Sequence, residues 1–299
     1  MRQPAEERHV KGIARILAST DFSEDGRHAA RRAALLAVER HAELSLLHVM
    51  NGPSLEALRG LFPVPEDAER ELAEESRRLL AELAVELGQD SGVTPDIQVR
   101  IGKVIDEIVA AAEQTDLLVL GARGSTSLRD LILGSTAERL LRKRREPSLV
   151  VRRPAQGSYR RVLVPVDLSA QSADALHMAM TIAPDAEYAL FHAFEVPFEG
   201  RLWLAGVSAE RLAAHREQAR LAALHGLSEL IGQVGGDRAR VRPLVKAGEA
   251  ALLILNEETE SDADLIVIGK QNYSRVQEIF LGSTARHVLS SAKCDVLVM

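Results

Sequence analysis

The sequence predicts an α/β fold, two repeated doubly wound domains, each a five-stranded parallel sheet with helices on both faces. Three observations carry this. The chain repeats itself: Arg15-Ile-Leu-Ala-Ser-Thr-Asp21 returns as Arg161-Val-Leu-Val-Pro-Val-Asp167, and Leu46-Leu-His48 as Leu190-Phe-His192. Further on, Asp116-Leu-Leu-Val-Leu-Gly121 returns as Asp264-Leu-Ile-Val-Ile-Gly269, and Leu133-Gly-Ser-Thr-Ala137 as Leu281-Gly-Ser-Thr-Ala285. Four blocks in one order, 144 to 148 residues apart, mark a tandem duplication. Second, short apolar runs alternate with longer helical patterns, as in a wound α/β sheet. Third, Leu117-Leu-Val-Leu120 and Leu265-Ile-Val-Ile268 are apolar at every position, the pattern of parallel strands covered on both faces.

In the first half the strand candidates are Ile13–Ser19, Leu44–Met50, Ile97–Ile101, Leu117–Leu120 and Ser148–Val151. Helical patterns lie between them at Glu24–Arg40, Glu66–Leu87, Val104–Gln114 and Ser135–Lys143. Ser23 and Ser169 stand where side-chain oxygens cap the first helix of each half. The long charged helix from Glu66 reads as an amphipathic cover. Pro154-Ala-Gln-Gly-Ser-Tyr159 is a short exposed joint, dividing the chain into domains 1–155 and 156–299. Right-handed crossovers leave few topologies open.

Composition narrows the function. The 299 residues are 46% hydrophobic and 27% charged, with net charge −6, so no global field recruits nucleic acid or an anionic membrane. No apolar run reaches the ~20 residues of a membrane span. Met1 to Lys11 is charged throughout, unlike a secretion signal. A single cysteine, Cys294, excludes an intrachain disulfide or a multi-cysteine metal site and suits a reducing compartment; the expectation is a soluble cytoplasmic protein. Phosphate-loop, dinucleotide-fold, zinc-protease and serine-hydrolase motifs are all missing.

The sharpest chemical signal follows the fourth strand. Gly121-Ala-Arg-Gly124 is followed, nine residues on, by Gly134-Ser135-Thr136 at a helix start. Gly121 and Gly124 let the backbone turn tightly and approach a ligand without a Cβ in the way. The amides of a helix start, with the hydroxyls of Ser135 and Thr136, form an anion site, so the two elements together suit a polyphosphate. Asp21 stands past the carboxyl end of the first strand. If strands one and four are neighbours and the sheet order reverses there, Asp21 and the glycine loop share a topological switch point, where such sheets bind ligands. A carboxylate repels phosphate, so Asp21 is expected at the nucleoside end, accepting from ribose hydroxyls or an adenine amine. The bland alternative is that Asp21 caps the following helix, a role for which Ser23 competes. Val49, at the end of the second strand, offers main-chain groups to a base.

These residues resemble the nucleotide signature of the universal stress protein family: Gly, two residues, Gly, nine residues, Gly-Ser/Thr. Gly121, Gly124, Gly134 and Ser135 match it, as do Asp21, Asp167 and Leu47-His48-Val49. The resemblance spans nearly the whole chain and looks like a tandem member with two UspA-type domains. It implies a parallel sheet of order 3-2-1-4-5 and ATP, with Mg, as ligand. It further implies nucleoside contacts at Thr20, Asp21 and Val49, and phosphate contacts at Gly121, Arg123, Gly124, Gly134, Ser135 and Thr136.

The second half departs once. Gly269-Lys-Gln-Asn272 carries Asn where the second glycine belongs, although Asp167, Gly269, Gly282, Ser283 and Thr284 persist and Lys270 adds positive charge. The expectation is that the first domain binds nucleotide and the second is weakened.

His48 and His192 read as structural, Arg142-Lys-Arg-Arg145 as a solvated helix end, Asp262 and Asp264 as no metal pair, and Cys294 as buried. ATP is expected as a switch ligand, with slow hydrolysis or autophosphorylation at most, since no general base is evident. The rivals are a non-nucleotide interaction module and an adenylate-forming or hydrolytic enzyme. The fifth strands, Pro147–Arg152 and Asp295–Met299, are apolar sheet edges and are expected to meet as a pseudo-two-fold pair within the chain; a homodimer of chains is left open.

Overall fold

A computed structural model gives the fold and describes residues 12–54, 56, 67–124, 133–195, 208–234, 237–270 and 281–299. The first half runs β1 (Arg15–Ser19), α1 (Glu24–Arg40), β2 (Glu43–Asn51), α2 (Ala68–Ser91), β3 (Asp96–Gly102), α3 (Val104–Ala112), β4 (Leu117–Gly121), α4 (Ser135–Lys143) and β5 (Ser148–Val151). The second half follows as β6 (Arg161–Pro165), α5 (Ser172–Ile182), β7 (Glu187–Phe194), α6 (Ala209–Gln233), β8 (Val241–Ala247), α7 (Ala250–Glu260), β9 (Leu265–Ile268), α8 (Ser283–Ser291) and β10 (Asp295–Val298).

The strands form one ten-stranded sheet in the order β3-β2-β1-β4-β5-β10-β9-β6-β7-β8, so each half repeats 3-2-1-4-5. Pairing is parallel within each half. At the centre β5 and β10 run antiparallel, with Leu149 opposite Leu297 and Ser148 opposite Val298. The expected meeting of the fifth strands is observed, and it removes both apolar edges at once.

Alternation along each strand divides the core. Ile16, Ala18, Leu117 and Val119 pack with α1 and α2 on one face, and Leu17, Leu118 and Leu120 with α3 and α4 on the other. Both layers continue into the second half, where Val164 and Leu190 join the first and Leu163, Ile266 and Val288 the second. This is why β4 and β9 carry no polar position: every side chain has a covered face. Asp116 and Asp264 fasten corresponding corners. Asp116 accepts the Ala14 and Arg15 amides, and Asp264 those of Arg160 and Arg161.

Several local expectations need correction. β1 begins at Arg15, α2 runs four residues past Leu87, and α3 stops at Ala112. Ser23 caps α1 by accepting the Gly26 amide, but Ser169 caps nothing, because α5 begins only at Ser172 behind Gln171. The joint between halves is not wholly exposed. Tyr159 is buried, donates its hydroxyl to Asp295 at 2.7 Å and lies under the Arg32 guanidinium. Nor is the basic run a uniformly solvated helix end. Arg142 and Lys143 make exposed ion pairs with Glu138 and Asp106, while Arg144 turns inward and donates to the Ala112 and Thr115 carbonyls that end α3. Those carbonyls lack helical partners, and a guanidinium has enough donors to serve several.

Candidate functional site

The site begins in the turn after β1, where each polar group is already assigned. The Thr20 amide donates to the Leu47 carbonyl, and the Thr20 carbonyl accepts Nδ1–H of His48 at 2.9 Å. Its buried hydroxyl accepts the Phe22 amide. His48 is thus structural, as His192 is through the Val166 carbonyl. Thr20 shapes the turn that presents Asp21. Asp21 Oδ1 accepts both the amide and the hydroxyl of Ser23, an Asx turn whose middle residue, Phe22, has φ 63°. The second half repeats the device: Asp167 Oδ1 accepts the Ser169 amide, and Leu168 has φ 60°. Two non-glycine residues held left-handed behind equivalent aspartates show that this corner is over-determined by its surroundings. The signal was legible as Asp-x-Ser, twice.

The loop after β4 closes onto that turn. A Cβ on Gly124 would lie 2.9 Å from Asp21 Oδ2, and one on Gly134 would lie 3.3 Å from the Ala122 carbonyl. Gly134 donates to that carbonyl at 2.8 Å and opens α4 without a side-chain cap, so the first-turn amides of exposed Ser135 and Thr136 have no helical acceptor. Asp21, Gly124 and the start of α4 are therefore brought together as expected. Gly121 has a different role. A Cβ there would meet the Asp25 carbonyl carbon and oxygen at 2.8 Å, so this glycine lets the first turn of α1, not a ligand, approach. None of Gly121, Gly124 and Gly134 is left-handed; each serves through its missing side chain. Arg123 forms an ion pair with Asp25, Nε to Oδ2 at 2.9 Å, which ties the loop to α1. Val49 lies inside β2, half-buried and in register with Arg100.

The second half has the same parts and an open space between them. A cavity of about 390 Å³ is lined by Val166, Asp167 and Ser172 at the start of α5, by Phe191 and His192 within β7, and by Gly269, Lys270, Gly282 and Thr284. Four of the five expected residues line it; Ser283 is exposed beside it. Asn272 lies outside the described residues. The opening follows from one substitution within the repeat. Ser172 stands where the first half has Gly26, whose Cβ would lie 2.8 Å from Thr20 Oγ1 and 3.0 Å from Asp21 Oδ1. A serine cannot tuck there, so the helix starts later and the Ser172 hydroxyl donates to Asp167 Oδ1 instead. The turn that covers Gly121 is then absent over Gly269, which has nothing among the described residues within 4 Å of a Cβ.

Charge in the cavity is sparse and defined. Burial alone would raise the Asp167 carboxyl, but hydrogen bonds from Ser169 and Ser172 outweigh it and hold the group below the ordinary range. Asp167 is therefore an ionised acceptor. The Lys270 charge does not stand ready for phosphate alone: Nζ donates to the Arg144 carbonyl, across the seam, at 2.7 Å. Burial, with the Arg144 guanidinium nearby, pushes its ammonium down to about 8 against an opposing Glu146. The folded chain thus releases this proton near pH 8, whereas the unfolded chain keeps it to 10.5. The unfolded state binds more protons in that window, so this group adds stability as pH rises from 8 to 10.5. Compared with Lys270→Met, the wild type is expected to gain about 1 kcal/mol per pH unit there. Urea denaturation of both at pH 7.5 and pH 9.5 checks this; an unchanged difference would count against it.

Cys294 is buried and its thiol is pushed up by burial; its amide and that of Lys293 donate to Glu258. Among the described residues no helix is long and apolar enough to cross a membrane.

Comparison with known proteins agrees with this geometry. The model of the universal stress protein family matches residues 12–152 and again 158–299. A universal stress protein of Mycolicibacterium smegmatis is 26% identical over 300 residues, covering 95% of this chain and 96% of its own length. Universal stress protein MJ0577 of Methanocaldococcus jannaschii is 30% identical over 154 residues, 46% of this chain and 94% of its own. The crystal structure of a universal stress protein from Archaeoglobus fulgidus superimposes with a TM-score of 0.67 at 21% identity, covering 95% of this chain and 97% of that one, a likeness of fold.

Proposed function

The chain belongs to the universal stress protein family, and from that premise we propose that it is a cytoplasmic regulatory protein that binds ATP as a switch ligand in its first domain, residues 1–155. Asp21, carried by Thr20, accepts from the nucleoside, with the Val49 main chain at the base. Arg123, Gly124 and the α4 start at Gly134, Ser135 and Thr136 surround the phosphates, on a loop whose approach to α1 Gly121 permits. The observation that supports this most is the approach of Gly124 to Asp21 Oδ2 beside a helix start without a side-chain cap. A carboxylate for hydroxyls and amines, next to bare amides for an anion, matches the two ends of a nucleotide. Among the described residues no group of three or more His, Cys, Asp or Glu could hold a metal, so magnesium arrives with the triphosphate. The binding groups are amides, hydroxyls and one arginine, which hold a triphosphate without activating a nucleophile, so turnover is slow. The second domain, 156–299, is a second and weaker nucleotide site built on Asp167, Gly269, Gly282, Ser283 and Thr284.

The test is calorimetric titration of purified protein with Mg·ATP, alongside mass spectrometry of small molecules released on denaturation. Gly124→Asn sets a side chain against Asp21 and is expected to weaken first-domain binding at least about tenfold, or 1.4 kcal/mol. Unaltered affinity in that variant, or no binding by the wild type, removes the reading in favour of an interaction module.

A further inference from the structure

The antiparallel seam has a geometric consequence. Because Ser148 sits opposite Val298, the segment that follows α4 lies beside the carboxyl ends of the second half's strands, where the cavity opens. Lys270 spans the two. It lines the cavity, is only 8% exposed, and donates from Nζ to the carbonyl of Arg144, the residue that ends α4. At its equivalent place the first half has Ala122, so the repeat does not require a cation here.

An ammonium carries three donors, and among the described residues the Arg144 carbonyl takes one. Among the described residues this buried cation on the wall of a cavity has two donors to spare and no carboxylate hydrogen-bonded to it, Glu146 acting only at longer range. The rest of the lining fits the remainder of one ligand. Phe191, Ile254 and Ile268 supply an apolar floor, Asp167 an acceptor for hydroxyl or amine donors, and the α8 start at Gly282 a second anion-favouring group. We propose that Lys270 is the charge-reading residue of the second-half cavity: an organic anion bound there takes the spare donors of the Lys270 ammonium, and the same ammonium carries that occupancy to helix α4 of the first half through the Arg144 carbonyl.

The coupling has a definite sign. At pH 7 Lys270 is already mostly charged; an anion in the cavity fixes that ammonium in place against the Arg144 carbonyl, and a cation at the carbonyl end of a helix stabilises that helix. Arg144 is also fixed to Ala112 and Thr115, so a firmer Arg144 carbonyl steadies the join between α3 and α4. Occupancy of the second half therefore orders the helix whose other end, at Gly134, is the first half's anion site.

The inference rests on the reading of the second half as a weaker nucleotide site and deepens it, so it is tested where the first-half site is weakened. In the Gly124→Asn chain, AMP and adenosine, which differ by the phosphate alone, are titrated at pH 7. AMP is expected to bind at least about tenfold tighter than adenosine. Adding Lys270→Met is expected to remove that preference and leave adenosine unchanged. Amide hydrogen exchange in α4 is expected to slow on adding AMP only when Lys270 is present. With Lys270 intact, raising the pH from 7 to 9 should erode the AMP preference, since the AMP phosphate stays dianionic across that range. The titratable and charged groups around the lysine are Arg144 and Glu146 from the first half, and Asp167 and His192 across the cavity. This pH arm needs no substitution at position 270 and guards against a variant that misfolds. Equal affinity for the two probes, no AMP binding, an equal loss of both in Lys270→Met, or α4 exchange that ignores AMP would each overturn the proposal.

Discussion

Gly121→Ala is expected to destabilise the protein by about 2–3 kcal/mol, whereas the same change at Gly269 stays within about 0.5 kcal/mol and on the stabilising side of neutral. The two glycines end equivalent strands, and neither is left-handed. The difference lies in what covers them. At Gly121 a methyl group would stand 2.8 Å from the Asp25 carbonyl carbon and oxygen and 3.0 Å from the Gly26 nitrogen. These are backbone atoms in the first turn of α1, fixed by the Ser23 cap and by the Arg123–Asp25 pair, so no flexible side chain can move aside. Either α1 shifts outward or β4 retreats from it, and both loosen contacts made by the buried Leu117 and Val119. At Gly269 a methyl group meets the cavity and, among the described residues, nothing within 4 Å, so the reduced freedom of the unfolded chain is the larger effect. Urea denaturation of the two variants decides the matter. Comparable costs would mean that the α1 turn is more pliable than its hydrogen bonds imply.

The same pair of positions shows how far the sequence could be read. The duplication, the strands and the meeting of the fifth strands followed from repetition and from runs apolar at every position, because these patterns are direct consequences of burial on two faces; the sheet order came from the family resemblance. Gly121 was legible as a glycine that something must approach, but the approaching group is a helix backbone, and no local pattern distinguishes it from a ligand. The swap of Gly26 for Ser172 was visible once the halves were set in register. Its effect was not, since it depends on the 2.8 Å between an absent Cβ and Thr20. Lys270, Arg144 and Tyr159 were each assigned to their immediate neighbours in the chain. Each finds its partner in a distant segment of the chain, where only the assembled fold brings them together. The tyrosine was the one large residue in a joint of small and polar ones, and that contrast was the available clue.

Asp295→Ala is expected to have the largest effect at the seam, about 3–5 kcal/mol, as when a buried ionic partner is stripped away. Asp295 is 2% exposed and faces three donor groups: it accepts the Arg152 amide at 2.8 Å and the Tyr159 hydroxyl at 2.7 Å, and forms an ion pair with the Arg32 guanidinium at 3.5 Å. Those donors come from the end of β5, the joint and α1, so one carboxylate fastens three parts of the chain to β10. Burial pushes its carboxyl above the ordinary range, although the Arg152 amide, Arg32 and Tyr159 all pull the other way. That balance makes the pair asymmetric. If Arg32 is lost, as in Arg32→Met, Asp295 can take up a proton and still accept from Tyr159 and Arg152, so about 1–2 kcal/mol is expected. If Asp295 is lost, the guanidinium cannot shed its charge, and the Gly157 carbonyl and the Tyr159 ring are its remaining partners. The asymmetry carries a pH signature. In Arg32→Met the folded aspartate keeps its proton to a higher pH than the unfolded one, whose value is near 3.8. The folded state then binds more protons in that window, and its stability rises as pH falls. The deficit of Arg32→Met should therefore shrink between pH 7 and pH 5, while that of Asp295→Ala, which has nothing to titrate, should not. Denaturation midpoints for both variants at the two pH values provide the measurement. A cheaper loss at Asp295 than at Arg32 would show that the carboxylate is a passenger in the seam, and that the apolar pairing of β5 with β10 holds the halves together alone.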